Sequence, residues 1–230
     1  MIKFFYNMAP NPMKVALLLE ETGLAYTPVP IDTRRGDQHD PDYRKVNPNA
    51  KVPAIVDGDT VVFDSNAILL YLAEKTGSFL PPDSDASRGA LLSWLMFVAT
   101  GVGPFSGQAV HFRNFAPERI PYALRRYDYE ARRHWQIVDD RLAQGRYMLG
   151  ETYTIVDMAV WGWGSRLTYM LGDDDIMAAF PNLDRLMKEI DARPAAQRAK
   201  ALNDRHAFKV EFDDAAMRHL YPQIFAPDPA

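Results

Sequence analysis

Residues 51–77 read KVPAIVDGDTVVFDSNAILLYLAEKTG, and this stretch decides what fold the rest of the chain completes. Two short β-branched runs, residues 52–56 and 60–63, flank an Asp-Gly pair, which is the pattern of an antiparallel hairpin. A helical pattern then begins at Ser65 and ends at Gly77, where glycine is a common helix terminator. The stretch therefore predicts a strand, a strand and a helix.

A strand-helix-strand order precedes this stretch. Residues 2–6 and 26–31 have strand patterns, and between them lies a helical pattern over residues 13–22 with Pro12 in its first turn. One or two further helical turns fit within residues 32–49. Connection lengths predict that the first two strands are parallel and the last two antiparallel. The N-terminal part is thus predicted to be an α/β domain with a mixed four-stranded sheet.

The character of the chain changes after Leu80-Pro81-Pro82-Asp83, which we interpret as a linker. We predict an N-terminal domain over residues 1–80 and an all-α domain of five or six helices over residues 87–205. The clearest helix is residues 124–142, whose apolar positions recur at spacings of three and four. A polar and aromatic C-terminal tail follows over residues 206–230.

The composition of the chain excludes several classes of function. The 230 residues carry a net charge of −4, which disfavours a sequence-independent grip on nucleic acid, and cysteine is absent. Disulfides, thiolate metal sites and a cysteine nucleophile are therefore excluded, and the five scattered histidines suggest no metal site. Apolar runs are too short for a membrane span, and the N-terminus does not resemble a secretory signal. We expect a cytoplasmic protein without nucleic acid or membrane partners.

The Lys51-Val52-Pro53 segment is the first candidate site. If the Val52–Pro53 bond is cis, the Val52 backbone turns outward and its N–H and C=O can pair with an extended peptide ligand. The alternative is an ordinary proline at a strand edge.

The Asp64-Ser65 pair, at the junction of a strand and a helix, is the second candidate. The helix end suits a carboxylate and Asp64 suits an ammonium, which together match an α-amino acid group. The alternative is simple capping of the helix by Ser65.

The turn Met8-Ala9-Pro10-Asn11-Pro12 is the third candidate. A thiolate here meets a helix N-terminus, which lowers thiol pKa values, and the Asn11 side chain offers two N–H donors. The alternative is that Asn11 is only a turn and capping residue.

Together the three segments resemble the cytosolic glutathione transferase superfamily. The resemblance implies a thioredoxin-like N-terminal domain and an all-helical C-terminal domain, the glutathione transferase fold, and it identifies Thr154-Ile155-Val156-Asp157 as a structural capping box. Within the superfamily the chain is most similar to the bacterial nu class, also called disulfide-bond oxidoreductase-like. That likeness rests on Asn11, on Gly36-Asp37-Gln38 and on motifs spread through residues 103–133.

The resemblance implies glutathione as co-substrate and assigns residues to it. Asn11 is expected to face the sulfur as the catalytic residue, and Arg133 to reach the neighbouring subunit's site in a homodimer. Asp64 and Ser65 are expected to hold the γ-glutamyl end. The remaining expected glutathione contacts are Gln38 at the glycyl end, the Val52 backbone at the cysteinyl backbone, and Lys51 and Pro53 beside it.

A small-molecule electrophile or disulfide is the expected second partner. Its predicted pocket is lined by Met8, Ala9, Phe105, His111, Phe112 and Phe115. Ala9 departs from the nu class, which often has a threonine hydroxyl at this position facing the sulfur. In the superfamily's tyrosine classes the catalytic phenol stands at the position that Phe5 occupies here. Tyr6, one residue further on, is expected to point to the opposite face of the strand, so we assign it no catalytic role. Three tryptophans are predicted to be core residues, namely Trp94, Trp161 and Trp163.

The predicted function is activation of the glutathione thiol for disulfide exchange, for transfer to electrophiles, or for both. Two alternatives remain open at this point. One is a glutathione-binding regulatory or structural protein with little turnover, which the missing hydroxyl at Ala9 favours. The other is a glutathione-dependent dehalogenase, etherase or isomerase.

Overall fold

The computed structural model describes residues 1–226. Its strands are Ile2–Tyr6 (β1), Tyr26–Pro30 (β2), Ala54–Asp57 (β3) and Thr60–Phe63 (β4). Its α-helices are Pro10–Thr22 (α1), Pro41–Val46 (α2), Ser65–Thr76 (α3), Asp85–Phe97 (α4), Gly103–Asn114 (α5), Pro121–Leu142 (α6), Ile155–Gly164 (α7), Leu167–Leu171 (α8), Pro181–Asp191 (α9), Pro194–Lys200 (α10) and Asp214–Leu220 (α11). The predicted C-terminal tail lies within this description except for residues 227–230.

The four strands form one mixed sheet in the order β2-β1-β3-β4. β1 and β2 are parallel, whereas β3 is antiparallel to both β1 and β4. Asp57 pairs with Thr60 across a two-residue turn in which Gly58 has a φ of 61°, a left-handed value that glycine adopts without penalty. The predicted α/β architecture and both strand orientations are therefore confirmed.

Helix α1 begins three residues earlier than the predicted start at Met13. Pro10 and Pro12 both lie in its first turn, where a missing N–H removes no helical hydrogen bond. At the other end Gly23 has a φ of 69° and its N–H donates to the Leu19 carbonyl over 3.1 Å, as predicted for a terminator. The early start brings Asn11 into the helix itself.

The helical part of the chain is built around α7, whose residues are nearly all buried. Between Asp85 and Lys200 the description contains seven α-helices, whereas five or six were predicted, because α8 and α10 are too short to leave a periodic signal. Helix α6 buries Trp135 and Val138 while Arg133 stays exposed, which is the predicted division of its faces.

The predicted capping box at the start of α7 is present. The Asp157 carboxylate accepts from the Thr154 amide at 2.8 Å and from the Met148 amide at 2.7 Å. The Thr154 hydroxyl oxygen accepts from the Val156 amide at 3.3 Å. All of these groups are buried, so the box satisfies helix-end donors that water cannot reach.

The helical run Asp85–Asn114 joins α4, a π-helical turn and α5. By length and composition it could cross a membrane, a test that core helices of globular proteins also pass. The apolar runs of the sequence do not show this length, because polar residues interrupt them and the two helices join only in the structure. Leu91, Leu95 and Val102 of this run are buried in the core that the helices share.

Residues 206–226, which we name the tail segment, fold back over the N-terminal strands. Arg34 donates to the carbonyls of Lys209 and Val210 at 2.8 and 2.7 Å, and its guanidinium lies 3.7 Å from the centre of the Phe212 ring. The Lys209 amide donates to the Asp32 carboxylate at 2.7 Å. The tail segment is thereby fixed above the loop that follows β2.

Candidate functional site

Two adjoining cavities lie where the sheet meets the helical part. We name the first the polar cavity, with a volume of about 630 Å³, and the second the apolar cavity, with a volume of about 750 Å³. Both volumes are in the range of small-molecule sites. Four residues line both cavities, so the two are neighbours: Gly107, Trp163, Leu220 and Tyr221. Predicted site residues that line the polar cavity are Asn11, Lys51, Val52, Asp64, Ser65 and His111.

The Val52–Pro53 peptide bond is cis, as the family resemblance implies. The Lys51 carbonyl accepts from the Tyr43 hydroxyl and the Asn47 amide, both at 2.6 Å, which fixes the backbone before the bond. Within residues 1–226 nothing hydrogen-bonds to the Val52 amide or carbonyl. A donor and an acceptor of the main chain are therefore open at the wall of the polar cavity.

Asp64, and not Ser65, caps helix α3. One carboxylate oxygen, Oδ1, accepts from the amides of Asn66 and Ala67 at 2.9 and 3.1 Å. The Asp64 backbone has a φ of 71°, in a region that disfavours residues with a Cβ. The alternative role of Ser65 as the cap is thus wrong. Because Asp64 supplies the cap, its Oδ2 and the Ser65 hydroxyl remain available to the cavity.

Lys14 was missed by the sequence reasoning. It lies one turn into α1, its side chain is 1% exposed, and its Nζ donates to Ser65 Oγ at 3.3 Å and to Asn66 Oδ1 at 3.2 Å. Burial lowers the pKa of Lys14 to about 7, against an opposing effect of Asp64. The sequence did carry a signal for this site: Lys14 falls on the apolar face of α1, and a lysine is rarely buried without a partner.

Asn11 lies in the first turn of α1 and contacts Trp163 of α7. The indole Nε1–H of Trp163 donates to Asn11 Oδ1 at 2.9 Å, and Gly103 and Gly107 of α5 leave space for the ring. Trp163 is half-buried and lines both cavities, so the prediction that it is a core residue was wrong. Trp161, by contrast, is 1% exposed and its indole donates to Asp191. Trp94, like Trp163, is half-buried and packs against the core, so the core prediction holds in full for Trp161 alone of the three.

The first turn of α1 offers fewer donors than a typical helix start. Pro10 and Pro12 have no N–H, and the Met13 amide already donates to the Ala9 carbonyl at 3.3 Å. The Asn11 main-chain N–H is therefore the donor that remains at this helix end, beside the Nδ2 group of its side chain. Any anion placed here depends mainly on one residue.

The tail segment closes the site on one side. The Tyr221 ring lies 4.7 Å from the His111 ring and 5.5 Å from the Phe115 ring, between centroids. Burial lowers the pKa of His111 and raises the pKa of Tyr221. His111 is therefore a neutral aromatic contact of the tail segment at neutral pH.

Gln38, predicted to contact the glycyl end, is covered by the tail segment. Its Nε2 donates to the carbonyls of Thr33 and His219, both at 3.1 Å, and its side chain is 4% exposed. Its Oε1 is buried and has no partner among the described atoms. Gln38 lines neither cavity, so a ligand reaches it only if the tail segment moves.

The predicted pocket for the second substrate is only partly assembled. Met8, Ala9 and Phe115 line the apolar cavity, whereas Phe105 and Phe112 line neither cavity. Phe105 stacks on His134 at 4.8 Å between centroids, and Phe112 stacks on Tyr127 at 5.1 Å. The reason is helical geometry: residues seven apart on α5 share the face that packs against α6.

Arg133 also lies away from both cavities of its own chain. Its Nε donates to Glu130 at 2.9 Å, and its guanidinium is exposed on α6. Its predicted role requires a second subunit. In the described part of the chain, no group of three or more His, Asp or Glu side chains is arranged to hold a metal.

Comparison with known proteins agrees with this architecture. Residues 1–74 match the glutathione S-transferase N-terminal domain, and residues 121–189 match the glutathione S-transferase C-terminal domain. Disulfide-bond oxidoreductase YfcG of Escherichia coli is 39% identical over 86% of this chain and 94% of its own length. The chain belongs to the glutathione S-transferase family.

Other members of the glutathione S-transferase family are similar over most of the chain. Disulfide-bond oxidoreductase YghU of E. coli is 38% identical over 84% of this chain and 72% of its own length. A family member from Pseudomonas fluorescens, solved with two glutathione molecules, has a TM-score of 0.81 at 36% identity and covers 86% of this chain and 91% of that one. The predicted family, the nu-class resemblance and the fold are confirmed.

One further solved glutathione S-transferase informs the site. The enzyme from Pseudomonas putida holds one glutathione disulfide per subunit, with a TM-score of 0.81, 33% identity, and coverage of 86% of this chain and 90% of that one. These ligands belong to those proteins. They show which kind of molecule the fold accommodates in relatives that are 33–36% identical to this chain.

Proposed function

We propose that this glutathione S-transferase binds glutathione in the polar cavity and uses its thiol to reduce disulfides. The observation that carries the proposal is the convergence of three elements on one cavity: the open Val52 backbone, the Asp64-Ser65 pair and Asn11. The relatives named as disulfide-bond oxidoreductases support the reaction class.

The chemistry of the cavity fits the tripeptide from end to end. Asp64 Oδ2 accepts from the γ-glutamyl ammonium, and the Ser65 hydroxyl and amide donate to its α-carboxylate. The Val52 N–H and C=O pair with the cysteinyl main chain as an added strand does. Lys51, exposed at the same wall, faces the glycyl carboxylate.

The sulfur is then placed beside Asn11. A free thiol is only a few per cent ionised at neutral pH, and lowering its pKa by about 2 units requires about 2.7 kcal/mol. The Asn11 amide Nδ2 and main-chain N–H supply donors to the thiolate, and Ala9 supplies none from its side chain. Asn11 therefore has the catalytic role in this proposal.

The reaction proceeds in two balanced exchanges. The glutathione thiolate attacks one sulfur of a disulfide, forming a mixed disulfide and releasing the other sulfur as a thiolate that takes a proton from solvent. A second glutathione thiolate attacks the mixed disulfide, giving glutathione disulfide and the second reduced thiol. The two adjoining cavities give room for both glutathione moieties of that product.

The apolar cavity favours a second activity on organic electrophiles. Its wall is aromatic, with Phe115, Phe208 and Phe212 among its residues, and such surfaces bind apolar molecules. Transfer forms a carbon–sulfur bond at the electrophilic carbon and expels its leaving group. We place this transferase activity second to disulfide exchange, and detoxification as its consequence.

We also infer a cytoplasmic homodimer in which Arg133 completes the partner's site. Its exposed guanidinium, held by Glu130, is positioned on a surface and away from its own cavities. Mixing Asn11→Ala and Arg133→Ala protomers is the test, because a dimer of one of each retains one intact site. Partial recovery of turnover supports the shared site, whereas two additive defects contradict it.

Steady-state reduction of a small disulfide with excess glutathione tests the main proposal. We expect turnover well above the uncatalysed exchange, with saturation in glutathione. Background rates combined with calorimetric binding of glutathione would support the alternative of a binding protein. Absence of both turnover and binding would overturn the proposal altogether.

A further inference from the structure

Lys14 is a buried lysine that makes no hydrogen bond to a carboxylate in the described part of the chain. Among residues 1–226 its Nζ donates to two neutral oxygens, Ser65 Oγ and Asn66 Oδ1. The fold reserves the space for its stem, because a Cβ at Gly162 would lie 2.4 Å from Lys14 Cγ. A buried ammonium is costly unless an anion accompanies it. Asp64 is the negative group that acts on Lys14, and it does so without a hydrogen bond to Nζ among the described residues.

The hydrogen bonds around Lys14 direct one donor into the cavity. Ser65 Oγ accepts from Lys14, so the hydroxyl hydrogen of Ser65 must be donated elsewhere. Asn66 is held between two partners, since its Oδ1 accepts from Lys14 and its Nδ2 donates to the Leu95 carbonyl at 3.0 Å. Lys14 itself lines the polar cavity, and Ser65 is the neighbour whose hydroxyl hydrogen can turn toward a ligand there.

The electrostatics of this corner favour an added anion. Lys14 lies at the N-terminal end of α3, where the helix dipole is also positive. On α3, Asp64 faces it, but one oxygen of that carboxylate already accepts from two amides. On α7 the neighbouring groups, Gly162 and Trp163, are neutral, with Nζ 6.0 Å from the indole ring.

The other titratable groups that line the same cavity are Asp64, Lys51, His111 and Tyr221. Asp64 carries the negative charge among them, whereas Lys51, His111 and Tyr221 add positive or neutral character. Because burial lowers the pKa of Lys14 to about 7, the charge of Lys14 is sensitive to a nearby anion. An arriving carboxylate would favour the ammonium form.

We propose that Lys14 positions the α-carboxylate of the γ-glutamyl group through the Ser65 hydroxyl, and that Lys14 takes up one proton from solvent when this carboxylate binds. The inference rests on the proposed function, because it names a further residue and a proton linkage in the same site. The neutral amine of Lys14 takes the proton and becomes an ammonium, and no other covalent bond changes. Binding should therefore weaken as the pH rises above about 7, where protonating Lys14 becomes harder.

Calorimetry with S-methylglutathione isolates this linkage, since the methylated sulfur cannot titrate. Titrations of the wild-type chain in two buffers of different ionisation enthalpy measure the protons taken up. We expect uptake approaching one proton per site at about pH 8 and much less at about pH 6. The ligand amine contributes equally in every variant, so differences between variants report on Lys14.

A comparison of two ligands and two variants distinguishes a positioning role of Lys14 from a purely structural one. Lys14→Met should bind S-methylglutathione about tenfold to hundredfold more weakly and without the uptake. It should bind the analogue with γ-aminobutyrate in place of γ-glutamate, which lacks the α-carboxylate, as the wild type does. Lys45→Met, which removes an exposed lysine paired with Asp42, is the charge-matched control and should change neither affinity.

The outcomes are distinguishable. Equal weakening of both ligands by Lys14→Met, or absence of proton uptake by the wild type at about pH 8, overturns the Lys14 inference while the glutathione site stands. If Lys14→Met fails to fold, the test rests on the wild-type chain alone. It should take up a proton on binding S-methylglutathione and take up none on binding the γ-aminobutyrate analogue. Absence of any S-methylglutathione binding overturns the proposed function itself.

Discussion

The indole N–H of Trp163 donates to Oδ1 of Asn11 over 2.9 Å, and this bond joins α7 to the first turn of α1. It fixes which end of the Asn11 amide faces the cavities. Because Oδ1 is occupied by a donor, Nδ2 is the group that remains for a ligand. A residue of the helical part thereby orients the residue to which we assign thiol activation.

Asn11→Ala should lower disulfide turnover about tenfold to hundredfold and raise the pKa of bound glutathione by about 1 unit, because a donor to the thiolate is lost. Trp163→Phe keeps an aromatic ring, smaller than the indole, but removes the N–H that holds the Asn11 amide, and should lower disulfide turnover about three- to tenfold. Ultraviolet absorbance of the thiolate as a function of pH measures the pKa. Full activity in Asn11→Ala would mean that main-chain donors suffice.

Asp64 has two separable roles, helix capping and ligand binding. Asp64→Asn keeps a side-chain oxygen for the Asn66 and Ala67 amides but loses the charge, so glutathione affinity should fall about tenfold with little change in stability. Asp64→Ala should lose the affinity and, in addition, about 1 kcal/mol of folding free energy. Calorimetry and urea unfolding measure the two effects.

Ser65→Ala completes this comparison. It should weaken binding without removing the cap, because the cap belongs to Asp64. Unchanged affinity in both Asp64→Asn and Ser65→Ala would remove the γ-glutamyl assignment.

The stability of the chain should depend on pH through Lys14. Burial sets its folded-state pKa at about 7, below the value of 10.5 for an exposed lysine. Between these values the unfolded chain holds a proton that the folded chain does not, so the free energy of unfolding rises with pH. From about pH 7 to about pH 9 the rise due to Lys14 is about 2 kcal/mol, and Lys14→Met should lack it. Parallel urea-unfolding curves for the two chains across this range would contradict the assignment.

Asp157 is the buried acceptor of the α7 capping box. Asp157→Ala should reduce the free energy of unfolding by about 2–4 kcal/mol, because it leaves the Met148 and Thr154 amides buried without a partner. Thermal and urea denaturation measure this loss. Asp174→Ala, in a turn before the ninth helix, is a suitable control and should change stability little. A loss below about 0.5 kcal/mol would show that water replaces the carboxylate.

The attachment of the tail segment can be tested at Arg34. Arg34→Ala removes two hydrogen bonds to carbonyls of Lys209 and Val210 and the stack on Phe212. Amide hydrogen exchange in residues 207–221 should accelerate about tenfold or more, while exchange in the sheet stays unchanged. Faster exchange throughout the chain would instead indicate global destabilisation.

Local pattern was sufficient to predict much of the N-terminal architecture. Alternating strand residues, the Asp57-Gly58 turn and the glycines that end α1 and α3 act over a few positions, so the sequence displays them directly. The capping box of α7 was predictable for the same reason. Its two side chains are three residues apart: the Asp157 carboxylate accepts from the Thr154 amide, and the Thr154 hydroxyl oxygen accepts from the Val156 amide.

Long-range placement was not predictable from these patterns. Periodicity showed that Phe105 and Phe112 are apolar positions of one helix, but not that α6 would cover that face. Trp163 has the same helical pattern as a core tryptophan, and only the glycines opposite it on α5 open a cavity there. Nor did sequence show that the tail segment covers Gln38, because that contact joins residues 181 apart.

By itself, the sequence determined the order of strands and helices, the absence of a protein thiol, and the motifs that identify a glutathione S-transferase. Tertiary structure alone decided that Asp64 rather than Ser65 is the cap, that Lys14 lies buried beneath Ser65, and that Trp163 orients Asn11. The physical reason is the distance along the sequence over which each interaction acts. Turns, caps and periodicity are fixed by neighbours along the chain, whereas burial and the direction of a side-chain hydrogen bond depend on elements that meet only after folding.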